Sequence, residues 1–157
     1  MPTRFTITPP ADYDLARDVC SYGYFLLSPN HWEPATRTFT RTLALEGGGA
    51  KIDITQPRKR GAPLTLTADR SLSAAERADA KGQISRMLRL DEDAAHVRAF
   101  HKLDPRWKRS GRGRLLRSPS FFEDVIKTVT SCNVTWPSTV SMNRRLCEVF
   151  GEPSPTG

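Results

Sequence analysis

The chain has 157 residues, 38% of them hydrophobic, enough for one domain or two small ones that bury about two thirds of their unfolded surface without staples. Its 24 Lys and Arg against 17 Asp and Glu leave a net charge of +7, which points to an anionic partner such as nucleic acid. Cys20, Cys132 and Cys147 make no paired motif, and neither an N-terminal apolar core nor a run of about 18 apolar residues occurs. Secretion, a disulfide framework and a membrane span are therefore not expected; the expected setting is intracellular and reducing, cytoplasmic (bacterial nucleoid) or nuclear.

The first seventy residues read as strands around one short helix. "RFTIT" (4–8) alternates and is closed by Pro9-Pro10. "DYDLARDVCSYG" (12–23) predicts a helix with Asp12 as N-cap, Leu15, Val19 and Cys20 on one face and Gly23 at its end, followed by a strand at "YFLLS". "RTFTRTLALE" (37–46), "AKIDITQ" (50–56) and "PLTLTAD" (63–69) show period-two patterning, and the short links between them predict an antiparallel meander with Gly47-Gly48-Gly49 as a hairpin tip.

Near residue 70 the period changes. Ser73 and Glu76 have capping-box spacing ahead of a helix that buries Ile84, Met87 and Leu88, and a short helix at 93–103 ends before Pro105. The most basic stretch, "DPRWKRSGRGRLLRSPS" (104–120), reads as a surface connector. Ser120 and Glu123 open another helix whose Phe122, Val125, Ile126 and Val129 are expected to face a core. After the break at Asn133-Val134-Thr135-Trp136, Pro137 suits the first turn of a last helix, with Val140, Leu146, Cys147 and Phe150 at helical spacing, stopped by Gly151 and Pro153; "EPSPTG" reads as a tail. The expected class is α+β: a sheet domain (1–70), linking helices and basic connector (71–117), then a helix pair (118–157).

Side-chain chemistry is sparse. Cys132 lies at the C-terminal end of a helix, which disfavours a thiolate, and no histidine is linked to it by spacing. His96 and His101 are five apart, off the three-or-four spacing of one helix face, and Asp91-Glu92-Asp93 reads as caps and a solvated link; no metal or cofactor is expected. Positive charge is concentrated instead at Arg106, Lys108, Arg109, Arg112 and Arg114 around Trp107, a combination suited to a phosphate backbone and also compatible with a solvated loop. The inter-helix turn could project a side chain as a wedge or be an ordinary hairpin stapled by Trp136.

These residues carry a resemblance. "SPSFFEDVIKTVTSCNVTWPSTVSMNRRLCEVFGE", with its Ser-Pro helix start and "RLCEVFG" end, resembles the first two core helices of DNA glycosylases of the helix-hairpin-helix superfamily, in the 3-methyladenine and 8-oxoguanine branches. "GQISRMLRLDEDAAHVRAFHKLDPRW" is similar to the segment just upstream in the 3-methyladenine branch. The resemblance is strongest over 82–151 and architectural before that, where it implies a TATA-binding-protein-like antiparallel sheet.

What it implies is DNA base-excision repair: binding damaged duplex DNA, flipping an alkylated or oxidised base and cleaving its N-glycosidic bond. The residue that fills the vacated stack falls at Asn133, flanked by Val134, Thr135 and Trp136. Asn133 is nearer the 8-oxoguanine type, whereas Val134, Thr135, Trp136 and Pro137 depart from its usual polar turn. The family's helix-hairpin-helix and catalytic aspartate belong to a region following residue 151, so this stretch is expected to be inactive alone, with no catalytic residue of its own and a tendency to self-associate through the apolar stripe of its penultimate helix. The alternative is a non-catalytic nucleic-acid-binding module of sheet-plus-helix architecture.

Overall fold

In the computed structural model, which describes residues 2–156, five strands form one antiparallel sheet in the order β1-β5-β4-β3-β2: β1 Thr3–Ile7, β2 Asn30–Glu33, β3 Thr38–Leu45, β4 Gly48–Thr55 and β5 Leu64–Ala68. β2 to β5 make a meander and β1 returns to pair with β5. With the helices that follow, this is the α+β architecture read from the sequence.

Alternation builds the core. Phe39 lies opposite Ile54, Ile54 opposite Leu66 and Leu66 opposite Phe5, so one apolar row crosses four strands. Phe39, Leu43, Ile52, Ile54, Leu64 and Leu66 are fully buried, each contributing about 1.5–3 kcal/mol over an exposed side chain. The other face is polar: the Thr40 hydroxyl donates to Asp53 Oδ1 at 2.7 Å. One residue on the apolar face breaks the pattern. Arg41, opposite Ile52, is only 4% exposed.

The region before β2 departs from the expectation. The first helix, α1, spans only Leu15–Val19, and its N-cap is Asp14, whose side chain accepts from Arg17 N; Asp12 is turned instead towards Arg114. "YFLLS" is not a strand. Residues Gly23–Leu26 form a 3₁₀ turn, held where Leu27 N and the Asn30 amide nitrogen both donate to the Tyr24 carbonyl, at 3.0 and 2.8 Å. An apolar run this short carries no period, so local hydrogen bonds decide its form.

Helix α2 (Ala74–Leu88) opens with the expected capping box: Ser73 Oγ accepts from Glu76 N at 3.1 Å and Glu76 Oε2 accepts from Ser73 N at 2.8 Å. Its Ala80, Ile84, Met87 and Leu88 join the same buried cluster as the strands. Asp93 caps α3 (Ala94–Leu103) and Glu92 pairs with Arg89 at 2.6 Å. Residues 152–156, the described part of the stretch read as a tail, lie on the sheet: the Thr156 hydroxyl donates to Asp69 Oδ2 at 2.9 Å, and Gly49 lacks the Cβ that would stand 2.8 Å from the Pro153 carbonyl.

The helix α4 (Phe121–Val129) and the helix α5 (Trp136–Phe150) complete the chain. The apolar stripe of α4, expected to face a core, faces none within this chain and is open, as the expected self-association through it requires: Phe122 is 72% and Val129 63% exposed, and Phe121 and Val125 are exposed too. The opposite side, with Glu123 and Lys127, is turned to the sheet, because Arg41 waits there for a carboxylate.

Glu76 also receives Arg70 Nη2 at 2.7 Å and Gly47 N at 3.2 Å. The Arg70 hydrogen bond, then the capping bond, hold its carboxyl at about 2 against an ordinary 4.5. A depressed carboxylate stabilises above its unfolded value and loses that contribution as pH falls through the folded one. Urea unfolding of wild type and Glu76→Gln should differ most above pH 5, the wild type being more stable, and the gap should close between pH 4.5 and 2.

Candidate nucleic-acid interface

The turn between α4 and α5 is built from its ends inward. Thr130 caps α4, and Ser131 N and Cys132 N return to the Thr128 and Val129 carbonyls at 3.1 and 3.2 Å. Asn133 then takes a left-handed conformation with φ 54°, which asparagine tolerates better than most side chains. Thr135 is the N-cap of α5, its side chain accepting from Ser138 N, with Pro137 in the first turn. Beneath, the buried Thr139 hydroxyl donates to the Thr130 carbonyl at 3.0 Å, and the buried Asn143 amide donates to Thr130 Oγ1 and the Thr139 carbonyl, both at 2.9 Å. The tip is thus rigidly footed, while Asn133, Val134, Thr135 and Trp136 are all exposed.

Trp136 is the least free of the four. Its ring lies against Gly23, where a Cβ would stand 2.9 Å from Trp136 Cζ2.

Aim is set by a buried ion cluster. Arg41 donates from Nη2 to Glu123 Oε2 at 2.5 Å, and from Nη1 to Glu123 Oε1 at 3.0 Å and Asn30 Oδ1 at 2.8 Å. Lys127 Nζ sits 2.6 Å from Glu123 Oε1 and 5.7 Å from the centre of the Tyr24 ring. Burial alone would raise the Glu123 carboxyl, but the Arg41 and Lys127 charges override it and hold it below its usual range. The Lys127 ammonium is pushed down by burial, and Arg41 adds to this against the pull of Glu123. Two buried cations share one half-buried carboxylate, an arrangement that fixes the face α4 presents.

The basic connector leaves α3 through a 3₁₀ turn, Pro105–Trp107, capped by Asp104. Arg106, Lys108, Arg109 and Arg112 are exposed, as the sequence implied. Arg106 is partly neutralised: it holds Asp104 through bonds of 2.8 and 2.7 Å, and those bonds lower the Asp104 carboxyl. Arg114 is a correction to the set. It is 1% exposed, makes a two-pronged ion pair with Asp12 at 2.9 and 3.1 Å, approaches Asp18 at 3.9 Å and lies over Tyr13. An arginine so enclosed braces the connector and offers nothing to a phosphate. Composition counted its charge without revealing the acidic partners one hundred residues earlier.

Turn and connector converge on one short segment. Ser21 borders the same cavity as Trp107 and Arg112, and two residues on, Gly23 carries Trp136. The Tyr24 hydroxyl lies 3.4 Å from Thr128 Oγ1 on α4. Sequence reading missed this bridge because 17–24 carries no charge pattern of its own.

No family model matches the sequence, and no curated protein matches it in sequence. Among solved structures, the 3-methyladenine DNA glycosylase from Archaeoglobus fulgidus is similar, with a TM-score of 0.69 and 16% identity over 93% of this chain and 50% of that one. The chain therefore has a DNA-glycosylase-like fold and spans half the length of that structure. Among the described residues no helix is long and apolar enough to cross a membrane.

The two classes of arginine separate by stability. Arg114→Ala, which leaves Asp18 and Asp12 without their buried cation, should lower unfolding free energy by on the order of 3 kcal/mol, whereas Arg109→Ala should leave the thermal midpoint unchanged. Equal midpoints for both variants in a thermal melt would contradict the bracing role.

Proposed function

We propose that the chain is the DNA-binding, wedge-bearing portion of a base-excision repair glycosylase acting on alkylated or oxidised bases. Residues 1–70 serve as the sheet platform, 71–117 as linking helices and basic connector, and 118–157 as the leading helix pair of the glycosylase core. The observation that carries the reading is the exposed, left-handed Asn133 at the tip of a rigidly footed turn, joined through Ser21–Gly23 to an exposed basic connector. The shared fold supports it.

In this reading Arg106, Lys108, Arg109 and Arg112 contact phosphates. Such contacts give affinity without sequence information and release counterions. Asn133, with Val134, Thr135 and Trp136 at its shoulder, enters the space left by an extruded base. Extrusion costs a few kcal/mol, least where a base is damaged or unpaired, so a side chain that occupies the gap biases the equilibrium towards the open state. This chain binds and distorts; bond cleavage needs an acid or amine that we assign to none of its residues. The exposed apolar side of α4 is the surface through which the chain would self-associate.

A gel-shift titration on paired and abasic-site duplexes at two salt concentrations tests the proposal. Binding should favour the abasic site, Asn133→Ala should bring the two affinities together, and Lys108→Ala should weaken both duplexes alike while reducing the log–log salt slope by about 0.9. Equal wild-type affinity for the two duplexes would identify a non-catalytic nucleic-acid-binding module instead, and absence of binding would reject both.

A further inference from the structure

A cavity of about 340 Å³ opens between α3 and the basic connector, lined by Glu92, His96, Phe100, Trp107, Arg112 and Leu115. That volume lies in the range of small-ligand sites. Helix geometry puts His96 and Phe100 one turn apart on the same face of α3. The connector closes the other side and is pinned there twice, by His101 Nε2 against the Arg112 carbonyl at 2.7 Å and by the Arg114–Asp12 pair at 2.9 Å. Gly113 sits closely between these pins: a Cβ on it would stand 3.2 Å from Phe100 Cδ1 and 3.1 Å from Val97 Cγ1.

Three chemistries meet in this space. Phe100 and Trp107 are 38% and 40% exposed, so two aromatic surfaces are left partly wet at one opening, with nothing from the rest of the fold to cover them. The Arg112 guanidinium makes no hydrogen bond among the described residues, while its backbone is held. Glu92 has its Oε1 held by Arg89 at 2.6 Å with His96 Nδ1 at 3.8 Å, and its Oε2 is buried with no hydrogen-bond partner among the described residues. An apolar ligand would leave the cation and the carboxylate unused, and a free anion would leave the rings unused. A planar heteroaromatic that carries N–H donors on one edge and a phosphate on its tether uses all three.

We propose that this cavity binds one unpaired base of a DNA strand: the base stacks on Trp107 and Phe100, an N–H of its edge reaches Glu92, and the adjoining phosphate meets Arg112. The inference rests on the DNA-binding reading above and adds to it a second point of attachment, separated from the Asn133 turn by the Ser21–Gly23 segment.

The test uses the full chain and two duplexes of equal length, one fully paired and one with a single bulged 2-aminopurine, whose fluorescence falls on stacking. The bulged duplex should bind about tenfold more tightly, the scale set by stacking one base on an aromatic side chain, and its fluorescence should be quenched at saturation. Trp107→Ala should abolish both effects, and Trp107→Phe should retain the affinity gain. Binding of the paired duplex with no gain and no quench for the bulge overturns the base site and leaves the DNA-binding reading standing; failure to bind either duplex overturns both. Should Trp107→Ala fold poorly, the wild-type quench and the Trp107→Phe gain decide alone.

Discussion

Everything the candidate interface does depends on one buried ion cluster, Arg41 with Glu123 and Lys127. Removing charges from water is expensive, and a buried pair recovers that expense only with good geometry and further hydrogen bonds. Here the geometry is two-pronged and Asn30 takes one further N–H of Arg41. Arg41 Nε and Lys127 Nζ are buried with no hydrogen-bond partner among the described residues, which offsets part of the gain, so the main consequence is for orientation. An α4 rotated to bury its phenylalanines would leave Arg41 alone on the apolar face of the sheet. The cluster therefore specifies a direction more than it supplies energy, and that direction sends the α4–α5 turn outwards.

A second constraint has the same character. Arg114 ties the connector to Asp12 and approaches Asp18 within α1, and Gln56 binds the same region from below, accepting from Leu15 N at 2.7 Å and donating to the Ala62 carbonyl at 2.9 Å. Flexible basic loops lose entropy on binding; this one is already held at both ends, so its exposed Lys108, Arg109 and Arg112 would meet the proposed ligand from a settled backbone. The fold thus separates its arginines into those that hold and those that are free to touch.

Much of the scaffold was legible in the residues. Period-two patterning located β1, β3, β4 and β5, and the Ser73–Glu76 spacing located the start of α2, because strands buried on one face and capped helices write their geometry locally. Pairings across long separations left no such trace. Arg41 shares the strand parity of Phe39 and Leu43 and is only a charged break in their apolar row until Glu123 is placed over it, 82 residues later. The same pairing explains why the strongest apolar stripe in the chain points away from the sheet. Asp12 reads as a helix cap, and only the fold shows it holding Arg114. The exposed position of the connector was readable from composition, whereas the residues left the turn open between a wedge and a stapled hairpin, and nothing in them announced the approach of turn and connector through Ser21 and Gly23.

The central claim is that the Arg41–Glu123 pair is a specific, coupled contact that sets the face of α4. A double-mutant cycle measures it directly: unfolding free energies of wild type, Arg41→Leu, Glu123→Leu and the double variant. Glu123→Leu should destabilise strongly by leaving Arg41 and Lys127 buried without their carboxylate, Arg41→Leu less, because Lys127 still pairs with Glu123, and the double variant should recover part of the summed loss, giving a coupling on the order of 1–3 kcal/mol. Additive losses with no coupling would mean that the two side chains do not meet, and that something other than this pair orients the turn.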